Sequence, residues 1–107
     1  MTEEQFLSRF IYRDLTNMNN GVDSPVIWHF SHEDFETVMD RAEQYSINIL
    51  GIECWSQKRI KRVKYIEEYP EVANWHRKAV AELRRGSPHP CIYAATFEIP
   101  PSLLYTR

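Results

Sequence analysis

Apolar side chains between Phe35 and Tyr45 step by three, one, three and three. Phe35, Val38, Met39, Ala42 and Tyr45 therefore share one face of a helix. Ser31 is a fitting N-cap for it, and Glu33 and Asp34 sit in the first turn, where the helix dipole favours negative charge. Similar steps through Phe6, Leu7, Phe10, Ile11 and Leu15 predict a helix over residues 3–17. A third helix is expected over 71–85. Pro70 opens it, and Val72, Trp75, His76, Ala79 and Leu83 form one face. Arg84 and Arg85 stand at the negative end of the dipole, and Gly86 is a suitable C′ residue.

Three other runs have the alternation or apolar density of strands. INILGIECW, residues 47–55, is apolar on both faces and reads as a central strand. Alternation sets Leu50, Ile52 and Cys54 against Ile47, Ile49, Gly51, Glu53 and Trp55. RIKRVKYIE, residues 59–67, is more polar and belongs nearer an edge, where lysines discourage edge-to-edge pairing. CIYAATFEI, residues 91–99, alternates Cys91, Tyr93, Ala95, Phe97 and Ile99 onto one side. VIWHF, residues 26–30, is a short strand or an extended lead-in. The preceding run, 17–25, is a loop rich in Asn with a Gly and a Pro. The order α-(β)-α-β-β-α-β predicts an α+β fold: helices packed on one face of a small, mainly antiparallel sheet. PPSLLYTR is a tail whose Leu103, Leu104 and Tyr105 pack back.

The 107 residues, 43% of them hydrophobic, suit one domain over 1–107 with its own core. No apolar run approaches the length of a membrane span, and the first residues lack the profile of a secretory signal, so a cytoplasmic protein is expected. Cys54 and Cys91 are too few for a disulfide scaffold and lie in strand-like runs, which predicts buried, reduced thiols. Net charge is only -2, but residues 1–56 carry ten acidic against three basic side chains, and residues 57–107 carry five against ten. Such asymmetry suits either a charged partner or two halves that complement each other.

Several chemistries compete for these residues. His29 and His32 straddle a helix cap instead of sharing a helical face, so neither metal nor cofactor is expected. Glu53 with Tyr65 and His76, or Cys54 with His76 or His89, can be drawn as catalytic sets, yet any mixed domain offers such trios. The expectation is a protein that is not an enzyme. Five of the seven residues 58–64 are basic and interleave with Ile60, Val63 and Tyr65. A nucleic-acid-binding regulator using strand 58–66 is therefore the alternative reading. The acidic remainder and a pI near 6.1 argue against nucleic acid as the partner. A protein-docking face is favoured. Its candidate contacts are Glu53, Trp55, Tyr65, Glu67, Glu68 and Tyr69. A second candidate face is the stripe Glu33, Glu36, Asp40 and Glu43, spaced by three, four and three on the second helix.

The SINILGIECW strand following an amphipathic helix, then YIEEYPE, the helix end AVAELRRG and the strand CIYAATFEI, resembles the immunity-protein family of the anticodon-cleaving E-type colicin. The likeness spans about residues 35–99. Ile49, Leu50, Gly51, Ile52 and Glu53 match that family's strand motif. Trp55 stands in for its nearby Trp, closer to the acid than in the family. The basic block and a longer N-terminal stretch depart from the pattern. The resemblance implies a small cytoplasmic α+β protein without catalysis. It would bind a toxic RNase domain and block its tRNA cleft with acidic and aromatic groups. Immunity proteins of contact-dependent inhibition systems follow the same logic.

Overall fold

The computed structural model describes residues 1–86 and 90–105, and His89 lies outside them. Helix α1 (Glu3–Phe6) has a capping box: Thr2 Oγ1 accepts from the Gln5 N–H, and the Gln5 side chain accepts from the Thr2 N–H. It runs into a π-helical turn, Leu7–Ile11, and stops there, short of the predicted residue 17. The Arg41 guanidinium donates to the carbonyls of Ile11 and Arg13, and Asp14 adopts a positive φ of 64°. Both features draw the chain off a helical path. Helix α2 (His32–Gln44) is as predicted. Ser31 Oγ accepts from the Asp34 N–H, and Phe35, Val38, Met39 and Ala42 are buried.

Strands β1 (Asn48–Ser56), β2 (Arg59–Tyr65) and β3 (Ile92–Glu98) form an antiparallel sheet in the order β2-β1-β3. The apolar strand is central and the basic strand is an edge. A two-residue turn, Gln57 and Lys58, joins β1 to β2 with φ of 53° and 63°. Helix α3 (Trp75–Arg85) links β2 to β3 across β1. It begins four residues later than predicted, because Glu71 and Asn74 both hold positive φ and break the helical path after Pro70. Helix α4 (Pro101–Leu104) folds back on α1, where the N-terminal amine donates to the Leu104 carbonyl.

Helices α2 and α3 lie side by side on one face of the sheet. Phe35 of α2 stacks on Tyr93 of β3, and Trp75 of α3 donates its indole N–H to the Ile49 carbonyl of β1 at 2.9 Å. Ile52, Cys54, Ala79, Leu83 and Tyr93 belong to this core. The predicted strand 26–30 reduces to one bridge, in which Phe30 and Tyr93 exchange two 2.8 Å bonds. Tyr12, Trp28 and Phe30 cluster beside it.

Two bulges correct simple alternation. On β1, Ile49 pairs with Phe97 and Gly51 with Thr96, so Leu50 is the extra residue. Ile49, expected beside Glu53, is instead buried, and Leu50 is partly exposed. On β2, Cys54 pairs with Arg62 and Trp55 with Ile60, so Lys61 is the extra residue. Among the described residues, no helix is long and apolar enough to cross a membrane.

Candidate protein-docking face

The second bulge decides what the face of the sheet opposite α2 and α3 carries. Paired residues of neighbouring strands share a side. Tyr65 therefore joins Gly51, Val63 joins Glu53, and Ile60 joins Trp55. Without Lys61 as the extra residue, Ile60 would fall on the side of Arg62 and Lys64. The bulge keeps three β2 side chains, Ile60, Val63 and Tyr65, together opposite the helices. It sends Arg62 and Lys64 toward α3.

Glu53 and Trp55 form one unit on this face. Two residues apart on β1, they point the same way, and the indole Nε1–H donates to Glu53 Oε1 at 3.0 Å. This bond fixes both the carboxylate and the ring. Behind Trp55 stands His29, fully buried, its ring edge-on at 4.9 Å. His29 Nε2 lies 2.9 Å from Asp23 Oδ2. Burial penalises the Asp23 carboxylate, but the bonds from His29 and the Ser24 N–H, with the His29 charge, hold its pKa below the usual carboxylate value. Asn19 builds the surrounding loop: its Oδ1 accepts from the N–H groups of Val22 and Asp23, and its Nδ2 donates to the Ser24 and Ile27 carbonyls.

Tyr65 lies across Gly51, where an added Cβ would stand 3.2 Å from the ring. A glycine in mid-strand lets the ring lie flat against the backbone. Tyr65 is nevertheless 54% exposed, and Ile60 is 46% exposed. At the β3 edge the same face opens into a cavity of about 370 Å³, walled by Glu53, Trp28, Val26, Ile27, Ala94 and α1 residues including Glu3 and Glu4. Val26 is 63% exposed at its rim.

Other predicted contacts lie elsewhere. Glu67 and Glu68 belong to a 3-10 turn, Ile66–Glu68, that ends β2. Glu67 is exposed. Glu68 accepts the Tyr65 N–H at 2.7 Å and lies 3.9 Å from Lys64 Nζ, so it closes the strand end. Tyr69, expected at a docking rim, is buried. Its hydroxyl donates to Glu82 Oε1 at 2.7 Å, and its ring packs on Trp75. Burial, then the Glu82 carboxylate, pushes the phenol pKa up to about 12.

The stripe Glu33, Glu36, Asp40 and Glu43 is exposed on α2, in the helix layer and away from the Glu53 face. The two candidate faces are thus on opposite sides of the molecule. Arg77 of α3 pairs with both Asp40 and Glu43, and His76 Nε2 lies 2.7 Å from Glu43 Oε1. The Arg77 bond foremost, then the His76 bond, lowers the Glu43 pKa. Glu36 meets His32 at 3.1 Å.

Of the catalytic sets, the Cys54–His89 pairing lies outside the described residues. Glu53 and Cys54 face opposite sides of β1, and His76 is engaged by Glu43. His29 and His32 have separate carboxylate partners, Asp23 and Glu36. Among the described residues, no three His, Cys, Asp or Glu side chains converge as a metal site. His29 was weighed only as a metal ligand beside His32, and neither its pairing with Asp23 nor the cavity was visible in the sequence. The only signal was an Asn-rich loop ahead of WHF, which gives no hint that its Asp returns to meet the His.

No family model matches the chain, and neither does any curated protein or solved structure.

Proposed function

We propose that the protein is an immunity-type inhibitor. It occupies the RNA-binding cleft of a cognate RNase toxin, a tRNA-cleaving one, with the face of its sheet opposite α2 and α3. The observation that carries this reading is the hydrogen-bonded Glu53–Trp55 pair beside exposed Tyr65 and Ile60. An RNase cleft is basic because its substrate is a polyanion. A plug for it needs a fixed carboxylate in the place of a phosphate and aromatic faces in the place of stacked bases. Exposed aromatic and aliphatic side chains grouped beside an acid are also the composition of a binding hot spot. The inhibitor works in the cytoplasm, where such a toxin meets tRNA. It needs no cofactor and performs no catalysis.

The alternative, a nucleic-acid regulator using β2, has less support. A phosphate-tracking strand needs its cations on one side, but Arg62 and Lys64 are committed to the helix layer. The Arg62 guanidinium donates to the Glu82 carbonyl at the end of α3.

The test is co-expression of the tagged chain with the product of the adjacent upstream reading frame, followed by a tRNA-cleavage assay on the purified complex. The expected result is a stable complex with cleavage suppressed. In it, Tyr65→Ala and Trp55→Ala each weaken binding by about 30-fold or more, the scale of a hot spot. Paired charge reversal, Arg59→Glu with Lys61→Glu, should leave inhibition intact. The proposal fails if the isolated chain instead binds RNA in a salt-dependent way that this charge reversal abolishes.

A further inference from the structure

Cys54 lies on the helix-facing side of β1, towards the strand's C-terminal end, and is 1% exposed. Its register partner on β3 is Tyr93. Cys91 precedes Tyr93 by two residues, just outside the first residue of β3, and alternation puts it on the same side. The two sulfurs approach to 2.6 Å, although 37 positions separate the residues in sequence. Both cysteines are thiols in this structure.

Their surroundings are unequal. Cys54 is sealed under the helices, whereas Cys91 is partly exposed at the end of the strand and bonds the Tyr93 hydroxyl. Burial, then the bond and charge of Cys91, pushes the Cys54 thiol up to about 12, with Arg62 opposing the shift. A thiol of that kind is a poor first nucleophile, while an accessible neighbour is a good one. The pair thus has the division of labour of an attacking and a resolving cysteine.

We infer that Cys54 and Cys91 are a reversible dithiol–disulfide couple, oxidised by a small-molecule disulfide to an intramolecular bond that ties β1 to β3. The Cys91 thiolate attacks one sulfur of the small disulfide RS–SR. A Cys91–S–SR bond forms and one RS⁻ leaves. The Cys54 thiolate then attacks the Cys91 sulfur, the Cys54–Cys91 bond forms, and the second RS⁻ leaves. The protein gives up two protons and two electrons, and the small disulfide takes them up as two RSH. The bond encloses β2 and α3, so it shortens the unfolded chain across about a third of the domain without asking the folded strands to move far. An excess of small thiol reverses it.

The experiment uses the full chain, reduced and desalted, then incubated with glutathione disulfide. Acid quenching, unfolding and N-ethylmaleimide treatment precede intact-mass measurement. The expected wild-type product has lost two hydrogens and carries neither glutathione nor maleimide. Its thermal midpoint rises by about 10 °C or more and returns to the starting value with dithiothreitol. Cys54→Ser should stop with one glutathione on Cys91, and Cys91→Ser should take up none while folded. Glutathione retained on the wild type, disulfide-linked dimers, or two maleimides per chain would each overturn the inference. The wild-type masses decide the matter even where a serine variant does not fold.

Discussion

The turn between β1 and β2 offers a test of the face on which the functional reading rests. Ser56 pairs with Arg59, leaving Gln57 and Lys58 as the whole connection, both with positive φ. A two-residue turn with this backbone matches the twist of the strands, but it favours Asn-Gly, because other side chains crowd their own carbonyls there. An ordinary residue in the left-handed region costs about 1–2 kcal/mol. Lys58→Gly removes that cost but adds freedom to the unfolded chain, which takes back about 0.5–1 kcal/mol. Gln57→Asn contributes about 0.5 kcal/mol more, since Asn tolerates this conformation. The double variant should therefore gain about 1 kcal/mol, read as a higher urea midpoint at an unchanged slope and a rise of about 5 °C in Tm. A fall in stability, or a changed slope, would refute the turn. A different turn would slide β2, and a one-residue slip moves every side chain to the other face. Ile60, Val63 and Tyr65 would then leave the side of Glu53.

Two further outcomes are expected. Trp75→Phe leaves the buried Ile49 carbonyl without its indole donor and a void beside the β1 bulge; together these cost about 2–4 kcal/mol in urea unfolding. A loss below about 0.5 kcal/mol would mean that the indole is not a strut between α3 and β1. Glu43 has its pKa lowered in the folded state, first by Arg77 and then by His76. Its contribution is thus present above its unfolded value and lost as pH falls through the folded one. Arg77→Gln should cost only about 0.5–1 kcal/mol at neutral pH, because these groups are partly exposed, and should flatten the fall in stability below about pH 4.5. An acid limb as steep as that of the wild type would show that the bridge is not what protonation breaks.

Long periodic segments were legible. Helix α2 and the three strands appear within a residue or two of their predicted bounds, because each pairs a strong apolar period with recognisable ends. The misses share a cause: the chain uses left-handed backbone at non-glycine residues. Gln57, Lys58 and Glu71 carry no sign of it in their type, and Asp14 and Asn74 carry only the mild preference of Asp and Asn for it. Gly86 shows the reverse. It was expected to supply a left-handed C′ position, yet its φ is -81°. What it offers is room, since a Cβ there would collide with the Arg62 guanidinium that caps α3. The bulges were equally hidden, because a one-residue slip in pairing leaves no mark on composition. The Glu53–Trp55 pair was legible from spacing alone, since residues two apart on a strand must share a side. The exclusion of Tyr69 from the surface was not, because a Tyr before Pro reads the same whether buried or exposed.

The charge asymmetry of the two halves is in part an internal matter. Asp40 and Glu43, from the acidic half, are paired by Arg77 from the basic half across the α2–α3 seam. Lys64 lies against Glu68, and Arg62, though exposed, donates to the Glu82 carbonyl at the end of α3. Once these groups are assigned, the acidic stripe retains Glu33 and the His32-linked Glu36 as its outward charges. A partner docking there would have to compete with Arg77 for the other two carboxylates. Glu53 poses no such conflict. Its one described partner is a neutral indole N–H, which orients the carboxylate without cancelling its charge. A carboxylate oriented by a neutral donor, with no cation paired to it among the described contacts, is the better recognition element for a basic cleft. The balance of internal pairs supports the sheet face for the docking we propose and gives Asp40 and Glu43 of the helix stripe a part in the seam that holds α2 to α3.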